Sequence, residues 1–543
     1  MRRWNLAFAL AVLLAASIVA AGTTLASAKG GIDGGTLRAG IPTNPDYLDP
    51  GLSYTNEGWE IVEATNNGLL TFKKAAAGEG ATIVPDIATS FPTISKDGLT
   101  YAFKVRPGVR FSAPINRDVR PSDFKYTIER LFRINSGGVG FYTGIVGADA
   151  FAKTKKGAIP GIVANDKKMT ITFRLTKRDG TFLDYMAMPF AFVLPVGTPA
   201  KDISTIPNWR IATGPYMVTK YTPKQQISIK RNPNFHSWAT DTPNGHLDGI
   251  EVKIGVTPEQ SVNEVANGQL DWYFESVPPD RLTQLRAQYP KQVQLYTRNN
   301  ITYFSMNERK APFDKLAVRQ AVNYATDRSA LVKIFGGQGT VSENIIPPAL
   351  GAAYKQHTLY PLNLDKARKL IVAAGAKGAK VTVWSHGIDP APKAAQYMAS
   401  VLTSIGLNAS VKTLDESVYW DTISTQKGDP QIAFNDWNQD FPEGQDFIDV
   451  GLNGEHISLV GNNNQANMNV PAYNALIDRA RQLPLGPARD AMWAKLDYSI
   501  SKENAPYVVF MNRQWPKFVS SHLQGLVFNG TYFELFPSMV LAK

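Results

Sequence analysis

The stretch between residues 365 and 434 alternates segments of helical and strand-like hydrophobic pattern, and this alternation constrains the fold more than any other feature. Six elements are predicted: helix 365–373, strand 381–384, helix 393–405, strand 409–411, helix 417–425 and strand 431–434. Strands separated by helices of this length form βαβ units, in which the strands lie parallel within one sheet. We therefore predict an α/β fold with a largely parallel sheet in the C-terminal part of the chain.

The segment after the last of these strands is the first candidate site. Residues 434–447 read F-N-D-W-N-Q-D-F-P-E-G-Q-D-F, and Pro442 and Gly444 predict an irregular loop. Loops at strand ends often carry the groups that bind ligands. This loop would carry one tryptophan and three acids, namely Trp437, Asp436, Asp440 and Glu443. Their spacing alone does not distinguish ligand-binding acids from ordinary loop carboxylates that are exposed to solvent.

The N-terminus has the pattern of an export signal. Two arginines precede the apolar run 6–21, and an A-x-A motif follows at residues 26–28. This order of a basic, an apolar and a small-residue segment is typical of a cleaved signal peptide. We expect residues 1–28 to be removed before Lys29. A retained membrane anchor is the alternative, although the run is short for a membrane span.

The composition of the chain limits the cellular compartment it can occupy and the classes of partner it can bind. The chain has 543 residues and no cysteine, which excludes disulfides, thiolate metal sites and a lipid-modified cysteine at the cleavage site. We expect a protein that is free in the periplasm or secreted. The formal charge is +11, and +9 without the two arginines of residues 1–28, which contain no acid. Because the basic residues are scattered, we predict no nucleic-acid partner.

The motifs of common enzymes are missing. The sequence contains no G-x-S-x-G, no H-E-x-x-H and no G-x-x-x-x-G-K-[ST]. The six histidines lie far apart and form no metal-ligand pair, so we expect no metal and no cofactor. These observations favour a binding protein over an enzyme. An exported hydrolase that uses two carboxylates remains the alternative from a different class.

One further segment carries a resemblance to a known family. Residues 97–111 read D-G-L-T-Y-A-F-K-V-R-P-G-V-R-F. This resembles the signature of the extracellular solute-binding proteins of the dipeptide and oligopeptide class, solute-binding family five. Further similar segments follow in the family's order at 213–216, 230–235, 247–250, 267–271, 304–328 and 365–375. Residues 112–120 replace the D-G pair that usually follows the signature.

The resemblance implies a two-lobed periplasmic binding protein of the type II-like kind, in the large cluster with an extra subdomain. Its ligand cleft would lie between lobes joined by hinge strands. We predict lobe I at residues 29–298, with the subdomain at about 73–205, lobe II at 299–511, and a C-terminal return to lobe I at 512–543. Such a protein is a soluble, monomeric receptor that captures peptides by hinge closure and delivers them to the membrane permease of an ABC importer.

The resemblance also implies roles for individual residues. The family's W-x-x-D run is matched by residues 437–440, so Asp440 would hold the α-ammonium group of a peptide. Trp437 would add apolar area or a cation–π contact beside it. Tyr54, Trp384 and Trp420 are further candidates for the cleft wall.

The sequence departs from the family's dipeptide binders at one point. Those proteins usually carry an arginine for the peptide carboxylate just after the strand corresponding to 381–384, whereas this chain has His386 and Asp389. We therefore expect an oligopeptide rather than a strict dipeptide, and His386 as a ligand contact. A receptor for an oligosaccharide, an opine or a metal chelate is the alternative within the class, and an adhesion or chaperone-like role is another alternative.

Overall fold

The computed structural model describes residues 31–76 and 78–542. The predicted signal peptide, residues 1–28, lies outside them. Within the described ranges, no helix combines the length and the apolar character that crossing a membrane requires.

Lobe I is built on a mixed five-stranded sheet with the order β12-β2-β11-β10-β9. Strand β2 lies parallel to β11 and β12, and β9 and β10 complete the sheet as antiparallel strands. Besides the four strands of the sheet described next, lobe I contains β1 Gly31–Ile32, β2 Thr36–Ile41, β3 Leu70–Phe72, β4 Ile83–Pro85, β9 Tyr216–Thr222, β10 Gln226–Arg231, β11 Gly249–Ile254, β12 Trp272–Tyr273 and β13 Val293–Thr297. The helices there are α1 Asn56–Thr65, α5 Pro258–Ala266 and α6 Leu282–Gln288.

The subdomain of lobe I contains a four-stranded antiparallel sheet with the order β5-β6-β8-β7. Its elements are β5 Thr93–Ile94, β6 Thr100–Lys104, β7 Ile162–Asn165, β8 Thr170–Arg174, α2 Pro121–Arg133, α3 Ala148–Thr154 and α4 Phe182–Tyr185. Helix α2 buries an apolar face formed by Phe124, Ile128, Leu131 and Phe132. The helix begins at Pro121, and the carboxylate of Asp123 accepts a hydrogen bond from the backbone N–H of Arg120 at the N-cap.

Lobe II contains a seven-stranded sheet with the order β13-β19-β14-β18-β16-β17, and β15 also pairs with β19. Its elements are β14 Asn300–Met306, β15 Gly339–Val341, β16 Lys380–His386, β17 Asn408–Leu414, β18 Ile432–Asn438 and β19 Tyr507–Phe518, with helices α7 Leu316–Ala325, α8 Arg328–Ile334, α9 Leu364–Ala373, α10 Ala391–Ser404, α11 Glu416–Ile423, α12 Gly444–Leu452, α13 Pro471–Gln482 and α14 Pro487–Glu503. Strands β16, β17 and β18 are parallel, as the alternating pattern predicted. Strand β14 is antiparallel to both of its neighbours.

Two connections join the lobes. The chain passes from β13 directly into β14 and returns along β19, whose twelve residues pair first with β14 and then with β13. Residue 299, at the first predicted boundary, lies in the short link between β13 and β14, and residue 511, at the second, lies in β19. The domain boundaries themselves stay predictions. The C-terminal segment adds β20 Leu523–Gln524, β21 Phe528–Asn529, β22 Phe533–Glu534 and β23 Val540–Ala542. It packs on lobe I, where Phe536 contacts Trp272 edge to face.

Candidate functional site

The strand before the candidate loop is longer than the sequence indicated. Strand β18 continues through Asn438 because it pairs with β14 along its whole length, ending at the pair Asn300 and Asn438. Trp437 and Asp436 therefore lie on a strand, and the prediction of a loop starting after Phe434 is wrong. Helix α12 begins at Gly444, so the irregular segment is residues 439–443.

Asp440 lies in this short loop and faces the other lobe. It is 6% exposed. The hydroxyl of Tyr54, which precedes α1 in lobe I, donates a hydrogen bond of 2.6 Å to Oδ2 of Asp440. Tyr54 is itself fixed, because its backbone N–H donates to Asp46 at 2.6 Å and its ring lies edge to face on Phe190. Tyr54 and Asp440 thus meet across the cleft.

A second carboxyl group, that of Asp446, lies beside Asp440. Its Oδ2 accepts hydrogen bonds from the backbone N–H of Asp440 at 3.0 Å and from the indole of Trp437 at 3.2 Å. Its Oδ1 is buried without a hydrogen-bond partner. Trp437 therefore supports the carboxyl pair and also packs, partly buried, against the cores of both lobes.

In the part of the chain that the structure describes, the carboxyl pair of Asp440 and Asp446 is not balanced by a cation. Within residues 31–76 and 78–542, neither Asp440 nor Asp446 forms an ion pair with a lysine, arginine or histidine. Burial raises the pKa of Asp440 to about 7. Burial and the charge of Asp440 raise the pKa of Asp446 well above its ordinary value. A buried carboxylate without a partner is unfavourable, so this arrangement suits a ligand that brings a positive charge.

The other three predicted cleft residues, His386, Trp384 and Trp420, have no recorded contact with Asp440 in the described part of the chain. The ring of His386 lies 5.5 Å from that of Trp420 and 5.4 Å from that of Phe434. Burial lowers the pKa of His386 to about 4, so the imidazole is neutral at pH 7. The amine of Lys412 covers the ring of Trp384 at 3.7 Å. The role of these residues in ligand binding stays a prediction, and so do those of Asp440, Trp437 and Tyr54.

Sequence reasoning missed two arginines at the hinge. Nη1 of Arg513, on β19, lies 2.7 Å from Oδ2 of Asp436. Arg298, next to β13, lies 3.7 Å from the same oxygen and stacks on Trp515 at 3.5 Å. Nε and Nη2 of Arg298 are buried without a partner. Both arginines stand alone in the sequence, and only the pairing of β13, β14 and β19 brings them beside Asp436.

Glu443, the remaining acid of the predicted loop, has a structural role. It lies 2.9 Å from Nε of Arg489, which is fully buried, and accepts a hydrogen bond from the backbone N–H of Gln445. Across the cleft, the side chain of Thr181 donates to Gln445 at 2.8 Å, and Arg481 pairs with Asp179 at 3.0 Å. These contacts hold the lobes together in the conformation described.

Replacing Tyr54 by phenylalanine tests the contact across the cleft. The change removes the one hydroxyl that donates to Asp440, and a hydrogen bond to a charged group contributes about 1.5 kcal/mol. We expect ligand affinity to fall about tenfold with little change in melting temperature. Titration calorimetry measures the affinity, and thermal denaturation measures the melting temperature. Tyr126→Phe, which loses a hydroxyl within lobe I, should leave the affinity unchanged.

Comparisons with known proteins agree with this architecture. The family model described as "Bacterial extracellular solute-binding proteins, family 5 Middle" matches residues 82–458. The chain is 26% identical over 499 residues to heme-binding protein A of Haemophilus influenzae, covering 87% of this chain and 85% of that protein. It is 24% identical over 439 residues to the dipeptide-binding protein of Escherichia coli, covering 75% of each.

A solved structure has the same two-lobed fold. It is the periplasmic binding protein DppA from Helicobacter pylori in complex with the peptide STSA. The TM-score is 0.83 at 22% sequence identity, and the match covers 95% of this chain and 99% of that one. The predicted two-lobed α/β class is therefore confirmed.

Proposed function

The chain belongs to the bacterial extracellular solute-binding proteins of family 5, and we propose that it is the peptide-binding receptor of an ABC-type importer. The observation that carries the peptide assignment is the buried pair Asp440 and Asp446, which lies where the lobes meet and forms no ion pair with residues 31–76 or 78–542. The N-terminal ammonium group of a peptide would supply that charge. Relatives that carry the names dipeptide-binding protein and di/tripeptide-binding protein support the proposal.

The edge of β18 favours an oligopeptide. This strand pairs with β14 along its whole length but with β16 only at Ile432 and Ala433. Beyond Ala433, its second edge has no strand partner in the described part of the chain. An extended peptide can hydrogen-bond to such an edge as an added strand. This mode would hold a ligand of several residues without an arginine dedicated to its carboxylate.

Hinge closure would couple binding to transport. A ligand that lies against Asp440 of lobe II and Tyr54 of lobe I contacts both only when the lobes are shut, so it stabilises the closed state. The permease could then distinguish loaded from empty receptor by shape. We further propose that the mature chain is a monomer without enzymatic activity, free in the periplasm or secreted, and that it binds no nucleic acid.

Calorimetric titration of the mature protein with peptides of two to eight residues tests the proposal. Each peptide is offered with a free and with an acetylated N-terminus. We expect binding of the free-amine forms, and acetylation should weaken it about 100-fold, because the acetyl group removes the charge that the carboxyl pair requires. Mass spectrometry of the protein under native conditions would identify a ligand that is retained during purification. Failure of all free-amine peptides to bind would contradict the peptide assignment.

A further inference from the structure

The loop 457–463 of lobe II lies against lobe I at the edge of the cleft, and we call it the strap. The backbone N–H of Asn462 donates to the carbonyl of Ser424 at 2.8 Å, which ties the strap to the end of α11. On the other side, a Cβ added to Gly461 would come 3.5 Å from Cα of Gly137 in lobe I. The strap is therefore anchored in one lobe and packed against the other.

The strap ends in the first two of three consecutive asparagines, whose side chains point in two directions. Asn462 is 1% exposed and Asn464 is fully buried. The amide of Asn462 donates to the carbonyl of Asn464 at 3.0 Å, and the amide of Asn464 donates to the carbonyl of Met468 at 2.8 Å. Asn463, which is half-buried, donates instead to the hydroxyl oxygen of Tyr54 in lobe I at 3.2 Å. The two buried neighbours thus fix the backbone that holds Asn463 toward lobe I.

The hydroxyl group of Tyr54 takes part in two hydrogen bonds of different direction. A phenol has one proton to donate, and its oxygen can also accept. The proton is donated to Oδ2 of Asp440 at 2.6 Å. The amide nitrogen of Asn463 can only donate to the same phenol oxygen. The three groups therefore form a directed chain, and hydrogen bonds linked in this way strengthen one another.

This chain leaves one oxygen of Asp440 for a ligand. Within residues 31–76 and 78–542, Oδ2 of Asp440 accepts from Tyr54, whereas Oδ1 accepts no hydrogen bond. Burial raises the pKa of Asp440 to about 7, and the hydrogen bond from Tyr54 opposes this rise. The bond thereby favours the ionised carboxyl group that an ammonium group requires. Without the amide of Asn463, the hydroxyl of Tyr54 would be free to turn away from Asp440.

We propose that Asn463 is a positioning residue for ligand binding, which directs the hydroxyl proton of Tyr54 onto Oδ2 of Asp440 and so leaves Oδ1 to the ammonium group of the ligand. This inference rests on the proposed peptide function and adds to it a residue that sets the preference for a free amine. Because Asn463 and Asp440 belong to lobe II and Tyr54 to lobe I, the chain is complete only when the lobes are shut.

Calorimetric titration of the mature protein with tetra-alanine and with N-acetyl tetra-alanine tests this role. Asn463→Leu keeps the approximate size of the side chain and removes the amide that donates to Tyr54. We expect the affinity for tetra-alanine to fall about fivefold, as for one neutral hydrogen bond, and that for the acetylated peptide to change less than about twofold. Ser458→Ala, whose hydroxyl donates to Val460 within the strap, should leave both affinities unchanged.

A double-mutant cycle shows whether Asn463 acts through Tyr54. In the Tyr54→Phe background, which has no hydroxyl to direct, we expect Asn463→Leu to change the affinity for tetra-alanine less than about twofold. An equal loss in both backgrounds would overturn the positioning role. An equal loss for the free and the acetylated peptide would also overturn it, since Asn463 would then only hold the lobes together. No loss, with tetra-alanine still bound, would overturn the inference and leave the peptide receptor intact.

Failure of the peptide proposal is a separate outcome. If tetra-alanine does not bind to the wild type, propylamine becomes the probe, because it carries an ammonium group and no peptide bond. A rise in the melting temperature with propylamine that is smaller in Asn463→Leu than in the wild type would support the role of Asn463 for another amine ligand. An equal rise in the two proteins, or no rise in either, would overturn that role.

Discussion

Replacing Asp440 by asparagine is expected to weaken the binding of free-amine peptides by about 100-fold while leaving the fold intact. The ammonium group of the ligand would enter a buried site, and the loss of its charged partner there costs about 2–5 kcal/mol. The asparagine keeps the shape of the side chain and can still accept the hydrogen bond from Tyr54. Calorimetric titration with one free-amine tetrapeptide measures the loss directly.

Asp446 provides a matched control within the same carboxyl pair. Its Oδ2 already accepts hydrogen bonds from Trp437 and from the backbone N–H of Asp440, whereas Tyr54 of the other lobe donates to Asp440, so we expect the ammonium group to contact Asp440 rather than Asp446. The asparagine oxygen can still accept from Trp437 and from the backbone N–H of Asp440. We expect at most about a threefold loss of affinity in Asp446→Asn. A large loss in Asp446→Asn together with none in Asp440→Asn would show that the ammonium is bound by Asp446 instead.

Local sequence patterns predicted the parallel strands of lobe II, and they singled out Trp437 and Asp440 as candidate site residues. The spacing from Trp437 to Asp440 is a short-range feature that the sequence shows directly. The alternation of helical and strand-like hydrophobic patterns was enough to predict that β16, β17 and β18 are parallel. The end of β18 was predicted wrongly because the pairing with β14, more than a hundred residues away, prolongs the strand past Phe434. Pairing over such a distance leaves no mark in the local sequence.

The rest of the site depends on residues that are distant in the chain. Tyr54 and Asp440 are separated by 386 positions, and both hinge arginines are far from Asp436 in the chain. No spacing rule connects single residues across such distances, so the hinge arginines were missed. His386 was predicted as a ligand contact in place of an arginine. Its aromatic surroundings, which keep it neutral, appear only when β16, α11 and β18 are packed together.

Lowering the pH is expected to close the empty receptor. In the closed form the pKa of Asp440 is about 7, whereas in an open, hydrated cleft it would return toward its ordinary value of 3.8. Ionised Asp440 therefore opposes closure, and this opposition is fully present above pH 7 and is lost as the pH falls from 7 toward 4. A difference of about three pKa units corresponds to about 4 kcal/mol. Small-angle X-ray scattering should show a smaller radius of gyration at pH 5 than at pH 8.

In the equilibrium between open and closed receptor, a bound peptide should favour the closed form at high pH, as protonation of Asp440 does at low pH. A free-amine peptide brings the positive charge that ionised Asp440 lacks, so the loaded protein should stay closed at pH 8. Asp440→Asn should make the empty protein more closed at pH 8 and reduce its response to pH. Three other carboxyl groups whose pKa is raised by burial, those of Glu57, Asp446 and Glu416, should contribute the remainder in the same direction. An identical pH response in the wild type and Asp440→Asn would contradict this role. In that case, low pH and the peptide would close the receptor through different groups. The carboxyl pair would then not be the group that links binding to hinge motion.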